Sequence, residues 1–272
     1  MSQCGAERRK AVNTEADPKA GLAPCSRRKR GDNYGAIMPL TLVSVKGKFV
    51  EGLCEVPLAF RLLLKAMAKT NVYVDGFNLY YGAVKDTPYR WLDLAKLGKI
   101  LLPGDTIQSI KYFTARVSGR PHDPDQPTRQ QIYLRALKTI PNLTIVYGHF
   151  LTHSRRMVLT GSNPPKKVWV DVTEEKGSDV NLGTHLLHDG FKGLYELAVL
   201  ITNDSDLLEP VRIVRHHLGL SVGILNPHQY HSCVLRQHAT FVKRIRQAHT
   251  AACQFPETMT DAKGTFHKPS AW

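Results

Sequence analysis

Two carboxylates two residues apart, Asp204 and Asp206, sit in the stretch Leu197 to Val211, which reads LAVLITNDSDLLEPV. Its first five residues form an apolar run with the length and β-branched content of a buried strand. From Leu207 the apolar residues have helical spacing, and Asp204, Ser205 or Asp206 could cap that helix. The pair therefore falls where a strand ends and a helix begins, the edge at which open α/β sheets bind ligands. Asp75, at the end of Asn71-Val-Tyr-Val, and Asp179, at the start of a helix, hold comparable positions. Carboxylates brought together repel one another. A hard cation such as Mg2+ or Mn2+ would remove that cost through oxygen ligands, lower the pKa of a bound water and stabilise in-line attack on a phosphodiester. Asn78 could orient a carboxylate or a water without adding charge. Each acid taken alone has an ordinary reading as a helix cap or turn residue. Their shared edge is what those separate readings leave unexplained.

The elements that would position these acids alternate. Strands are expected at 71–75, 106–117, 143–151, 197–202 and 221–225. Helices are expected at 91–102, 128–140, 180–191, 206–218 and near 232–239, with a β-hairpin excursion at 152–176. Strand–helix alternation of this kind predicts an α/β/α three-layer sandwich around a mainly parallel sheet. The domain is expected over 70–248, followed by a polar, mobile tail over 249–272. Residues 1–69 read as a disordered basic extension. Met67, just ahead of the first strand, has the look of a translation start.

The net charge is +14, which suits a polyanionic partner. Residues 1–70 carry 13 Lys/Arg against 6 Asp/Glu, and the remainder 24 against 17, so half the excess lies in the extension. Within the domain, Arg116, Arg120, Arg129, Arg155, Arg156, Lys166 and Lys167 could contact a phosphate backbone, and Lys176 could either do the same or neutralise the acids. Any one of them could equally be ordinary solvated charge. None of the five cysteines forms a CxxC pair, and the twelve histidines match no zinc spacing. No GxGxxG follows a strand, and no GxxxxGK[ST] occurs. No apolar run reaches transmembrane length and no signal peptide is evident, so a cytoplasmic protein without membrane contact is expected.

Three segments, Tyr73-Val-Asp-Gly-Phe-Asn-Leu-Tyr80, Glu175-Lys-Gly-Ser-Asp-Val180 and Ile201-Thr-Asn-Asp-Ser-Asp-Leu207, resemble the signatures of the NYN domain, a PIN-like branch of the metal-dependent nucleases. The bacterial members are nearest in appearance, and the similarity spans roughly residues 70 to 245. The resemblance implies a PIN-like sandwich and a Mg2+- or Mn2+-dependent endoribonuclease acting on single-stranded RNA. Asp75, Asp179 and Asp204 would be the metal ligands, Asp206 would complete the acidic cluster, and Asn78 would be its polar companion. RNA is the implied partner, and a homodimer is allowed. Two other readings stay open: a PIN-like module that binds RNA or protein without turnover, and a phosphatase using Asp204-Ser-Asp206 as a DxD motif.

Overall fold

The structure, a computed structural model of the chain, describes residues 68–272. The expected extension over 1–69 and the start at Met67 lie outside the described residues, apart from Ala68 and Lys69. The described elements are β1 (Lys69–Asp75), α1 (Gly76–Leu79, widening over Tyr80–Val84), α2 (Leu94–Leu101), β2 (Thr106–Thr114), α3 (Gln126–Leu137), β3 (Leu143–Tyr147), β4 (His149–Val158), β5 (Lys167–Lys176), α4 (Ser178–Phe191), β6 (Leu197–Ile201), α5 (Leu208–Arg212, widening over Ile213–His217), β7 (Ser221–Asn226), α6 (Cys233–His238), β8 (Phe241–Arg244), α7 (Gln247–Ala252), β9 (Thr258–Asp261) and β10 (Gly264–His267).

Six strands form one sheet in the order β3-β2-β1-β6-β7-β8, with every pairing parallel. Strand alternation divides the core in two, because successive side chains point to opposite faces. Val72, Val74, Leu197, Val199 and Ile201 pack with Leu94, Leu97, Leu134 and Leu137 of α2 and α3. Tyr73, Phe113, Ala198 and Leu200 pack with Leu182, Leu186 and Val211 of α4 and α5. The result is the expected α/β/α sandwich, with both faces of a parallel sheet covered.

The order reverses between β1 and β6, where neighbouring strands continue to opposite sides. In open α/β sheets a crevice opens outside the strand ends at such a point. Asp75 pairs in register with Phe113, and Val74 with Ile201, so Asp75 and Thr202 emerge side by side at this crevice. Gly76 allows the turn there. A Cβ on it would lie 2.7 Å from the Phe113 carbonyl oxygen and 2.7 Å from the Tyr112 ring. Gly76→Ala is expected to lower stability by about 1–3 kcal/mol, because a backbone oxygen cannot rotate away. Chemical denaturation of the variant measures the loss.

The strand expected over 143–151 is two strands. β3 stays in the sheet and β4 leaves it, pairing with β5 in a separate antiparallel ribbon. The break falls at Gly148, where a Cβ would lie 2.5 Å from the Lys176 carbonyl oxygen, so the ribbon base closes only around a glycine.

The expected mobile tail over 249–272 is corrected. After α7, Phe255 and Phe266 are buried and β9 pairs with β10. Trp91 collects the aromatic residues of this segment, with ring centroids at 5.7 Å to Phe255, 6.5 Å to Phe266 and 6.3 Å to Trp272. Its indole N–H donates to the Pro256 carbonyl at 2.8 Å. Arg135 clamps Asp261 with two bonds, at 2.6 and 2.8 Å. A polar, Pro- and Gly-bearing segment thus folds back because a few widely spaced aromatic residues find one large buried partner. Among the described residues no helix is long and apolar enough to cross a membrane.

Candidate active site

Asp75 is 6% exposed. Its Oδ1 accepts the Asn78 backbone N–H at 2.9 Å and its Oδ2 accepts the Thr202 hydroxyl at 3.2 Å. Asp75 is therefore the cap of α1 as well as a member of the edge. Burial, together with the nearby charges of Asp179 and Asp204, pushes its pKa up to about 6, against the opposing bond from Asn78. Asp179 is also raised, by burial and then by Asp204, Glu175 and Asp206. The four acids expected on one edge do share it, close enough to repel.

Their oxygens are turned to local tasks. Asp204, not Ser205, caps the turn that leads into α5, accepting the Asp206 N–H at 3.0 Å. Asp206 is exposed. Among the described residues no three His, Cys, Asp or Glu side chains are grouped so as to hold a metal ion.

Asn78 is more deeply engaged than a turn residue needs to be. Its Oδ1 accepts the Asn203 backbone N–H at 3.0 Å, which fixes that atom as the oxygen. His228 Nε2 lies 3.1 Å from the same oxygen and must be the donor, so this histidine carries its proton on Nε2. Burial lowers the His228 pKa, which keeps the ring neutral near pH 7. Asn203 ties the crevice to the loop after β7. Its Oδ1 accepts the Ser232 N–H at 2.7 Å and its Nδ2 donates to the Tyr230 carbonyl at 3.1 Å. Thr202, Asn203 and His228 are site residues that the sequence reading did not single out. Each lies within two residues of the C-terminal end of β6 or β7, and that position was the available signal.

A cavity of about 420 Å3 opens beside Gly76 and Phe77, with walls from α1, β2, α3 and the ribbon base. Tyr112 joins the two places: it lines the cavity, and the Asp75 charge adds to the effect of burial in raising its pKa.

The basic residues expected to contact phosphate are scattered. Lys176 is paired with Glu174 at 2.8 Å. Arg116 lies over the Tyr147 ring at 5.2 Å and Arg156 over Trp169 at 5.9 Å. Arg155, Lys166 and Lys167 stand exposed on the ribbon or its turn. Arg129 is held by Asp123 and lines the cavity with Arg120.

No family model matches the chain. It is 29% identical to the 6-hydroxy-3-succinoylpyridine 3-monooxygenase HspA of Pseudomonas putida (strain DSM 28022 / S16), over 75% of this chain and 75% of that protein. Among solved structures, a protein of unknown function from Vibrio parahaemolyticus RIMD 2210633 matches with a TM-score of 0.45 at 16% identity, over 66% of this chain and 94% of that one. Acinetobacter baumannii MurG matches with a TM-score of 0.31 at 12% identity, over 69% and 43%. Neither structural likeness bears on function.

Similarity to a monooxygenase overturns the expected metal-dependent endoribonuclease, its hydrolytic chemistry and its Mg2+ or Mn2+ cofactor. The physical reason for the misreading is local. An acid at a strand end suits a metal and a helix cap equally well, and here Asp75 and Asp204 spend oxygens on backbone N–H groups.

Proposed function

We propose that this chain is an oxidoreductase that inserts one oxygen atom into a hydroxylated pyridine-type ring at the crevice between β1 and β6. The observation that carries this reading is the similarity, along three quarters of both chains, to a monooxygenase whose name specifies a hydroxylated, succinoyl-bearing pyridine. One atom of dioxygen ends in the substrate. The other leaves as water after taking two electrons from a donor of the reduced nicotinamide or reduced flavin class, and two protons. The donor is a co-substrate here. The turn after β1 carries a single glycine, Gly76, and the acids on this edge repel a pyrophosphate, so a dinucleotide has no cradle there.

Asp75 is the proton acceptor in this reading. A carboxylate with a pKa of about 6 is largely ionised at neutral pH and can still take up a proton. Removing the proton from a ring hydroxyl enriches the ring in electrons and prepares it for oxygen. Thr202 and the Asn78 N–H orient the carboxylate, Asn78 is held in turn by Asn203 and His228, and Asp179 and Asp204 maintain the negative field that keeps Asp75 basic. The NYN-type motifs then mark a shared scaffold on which a different chemistry is carried out.

The test is incubation of the full chain with 6-hydroxy-3-succinoylpyridine, 18O2 and a reduced nicotinamide, with and without free flavin. The expected result is donor oxidation that depends on substrate, with 18O in the product. Absence of product with every donor, or label entering only from 18O-water, refutes the reading.

A further inference from the structure

The cavity beside Gly76 is walled by Phe77, Tyr80, Tyr112, Tyr133, Phe150 and Trp272. Phe77 meets Phe150 edge-on at 5.7 Å, and Tyr133 meets Trp272 at 5.8 Å, so the walls are rings fixed against one another. A site of about 420 Å3 lined this way has the size and surface of a small-molecule pocket, and flat ring faces favour a flat ligand.

Three arginines line the same cavity. Arg129 is already neutralised, its Nη2 lying 2.6 and 2.5 Å from the two carboxylate oxygens of Asp123. Arg90 donates to two backbone carbonyls, of Lys85 at 2.8 Å and Ala271 at 3.3 Å, and so keeps its charge while held in place. Arg120 has no carboxylate partner among the described residues. Its backbone is nevertheless fixed, because Arg120 and Asp123 exchange two backbone hydrogen bonds, at 3.2 and 2.9 Å, and Asp123 is tied to α3 through Arg129. Glu175 also lines the cavity, accepting the Ser178 N–H at 3.1 Å. Two uncompensated guanidiniums thus stand against one carboxylate. A rigid aromatic slot with a surplus of positive charge at its rim is complementary to a ring that bears an acid.

We infer that this cavity binds a planar aromatic carboxylate, with the ring against Phe77, Tyr80 and Tyr112 at the Gly76 end, next to the Asp75 strand end, and the carboxylate on the guanidinium of Arg120, assisted by Arg90. The inference deepens the proposed function and rests on it for the choice of a hydroxypyridine ring. It gives the acid arm of the substrate a place, and Arg120 the role of a specificity-determining residue.

Binding is measured on the full chain by calorimetry and by tryptophan fluorescence, with 6-hydroxynicotinate as ring plus carboxylate, 2-hydroxypyridine as ring alone and succinate as acid alone. The expected result is that 6-hydroxynicotinate binds, 2-hydroxypyridine binds about tenfold or more weakly, and succinate does not register. Arg120→Ala should weaken the acid probe by about the same factor while leaving 2-hydroxypyridine unchanged, and Arg120→Lys should restore part of the loss. Arg120 is exposed on a surface turn, so the variants fold, and circular dichroism verifies it. Equal affinity for the acid and neutral probes, wild-type binding by Arg120→Ala, or no binding of any probe overturns the inference. Selective binding of the acid probe without oxygen incorporation from any ring would leave the pocket assignment standing and refute oxygen insertion instead.

Discussion

Asp75→Asn is expected to stabilise the protein at pH 8 while abolishing turnover. The folded state raises the Asp75 pKa from 3.8 to about 6, chiefly by burial and then by repulsion from Asp179 and Asp204. A raised folded pKa means that the native state binds this proton more tightly than the unfolded chain does. The corresponding stability is fully present below pH 3.8 and is lost as pH rises through about 6. Above that the ionised carboxylate costs on the order of 3 kcal/mol, which asparagine does not incur. Asparagine keeps the cap, since its Oδ1 can still accept the Asn78 N–H, and its amide can donate to the Thr202 hydroxyl. Thermal melts of wild type and variant should therefore diverge most at pH 8 and converge toward pH 4. A variant less stable than wild type by the same margin at both pH values would contradict the burial and repulsion account. Gain of stability with loss of activity is the signature of a group kept for chemistry at the expense of the fold.

Lys111→Met should be among the most damaging single changes in the described domain, costing about 3–5 kcal/mol. Lys111 Nζ lies 2.6 Å from Asp189 Oδ2, and the Tyr73 hydroxyl donates to the same oxygen at 2.6 Å. The Asp189 side chain is 2% exposed and that of Lys111 is 17% exposed. The pair sits on the α4 face of the sheet, bridging β2 to the helix beneath β1. Its net worth against an apolar replacement is small, because both charges give up hydration. Removing the lysine alone is different: it leaves a buried carboxylate with one neutral donor. Adding Asp189→Asn to Lys111→Met should recover most of the loss, since no uncompensated charge then remains. Urea unfolding of the two variants measures this. A single variant within about 1 kcal/mol of wild type would place the pair among weak surface contacts.

Asp75 and Lys111 are legible in the sequence to very different degrees. Asp75 was evident as an acid closing an apolar strand, and the same pattern placed Asp179 and Asp204 on its edge. Lys111 was hidden. The alternation Ile107, Ile110, Tyr112, Thr114 marks the apolar positions of β2, and a lysine between them reads as solvated until α4 brings Asp189 beneath it. Likewise Trp91 reads as the start of a helix, and only the return of Phe255, Phe266 and Trp272 makes it the centre of a cluster.

What the sequence by itself determined is the alternation of the main sheet strands with their helices, the α/β/α class and the gathering of acids at one sheet edge. Periodicity, turn residues and strand-end chemistry are local, and they survive without knowledge of what packs where. What only the tertiary structure decided is how those acids point, because a cap and a metal ligand are the same residue at the same place and differ in where the oxygens face. The aromatic cavity belongs to that second group too. Its walls come from residues as far apart as Phe77, Tyr133, Phe150 and Trp272, and no window of sequence holds them together.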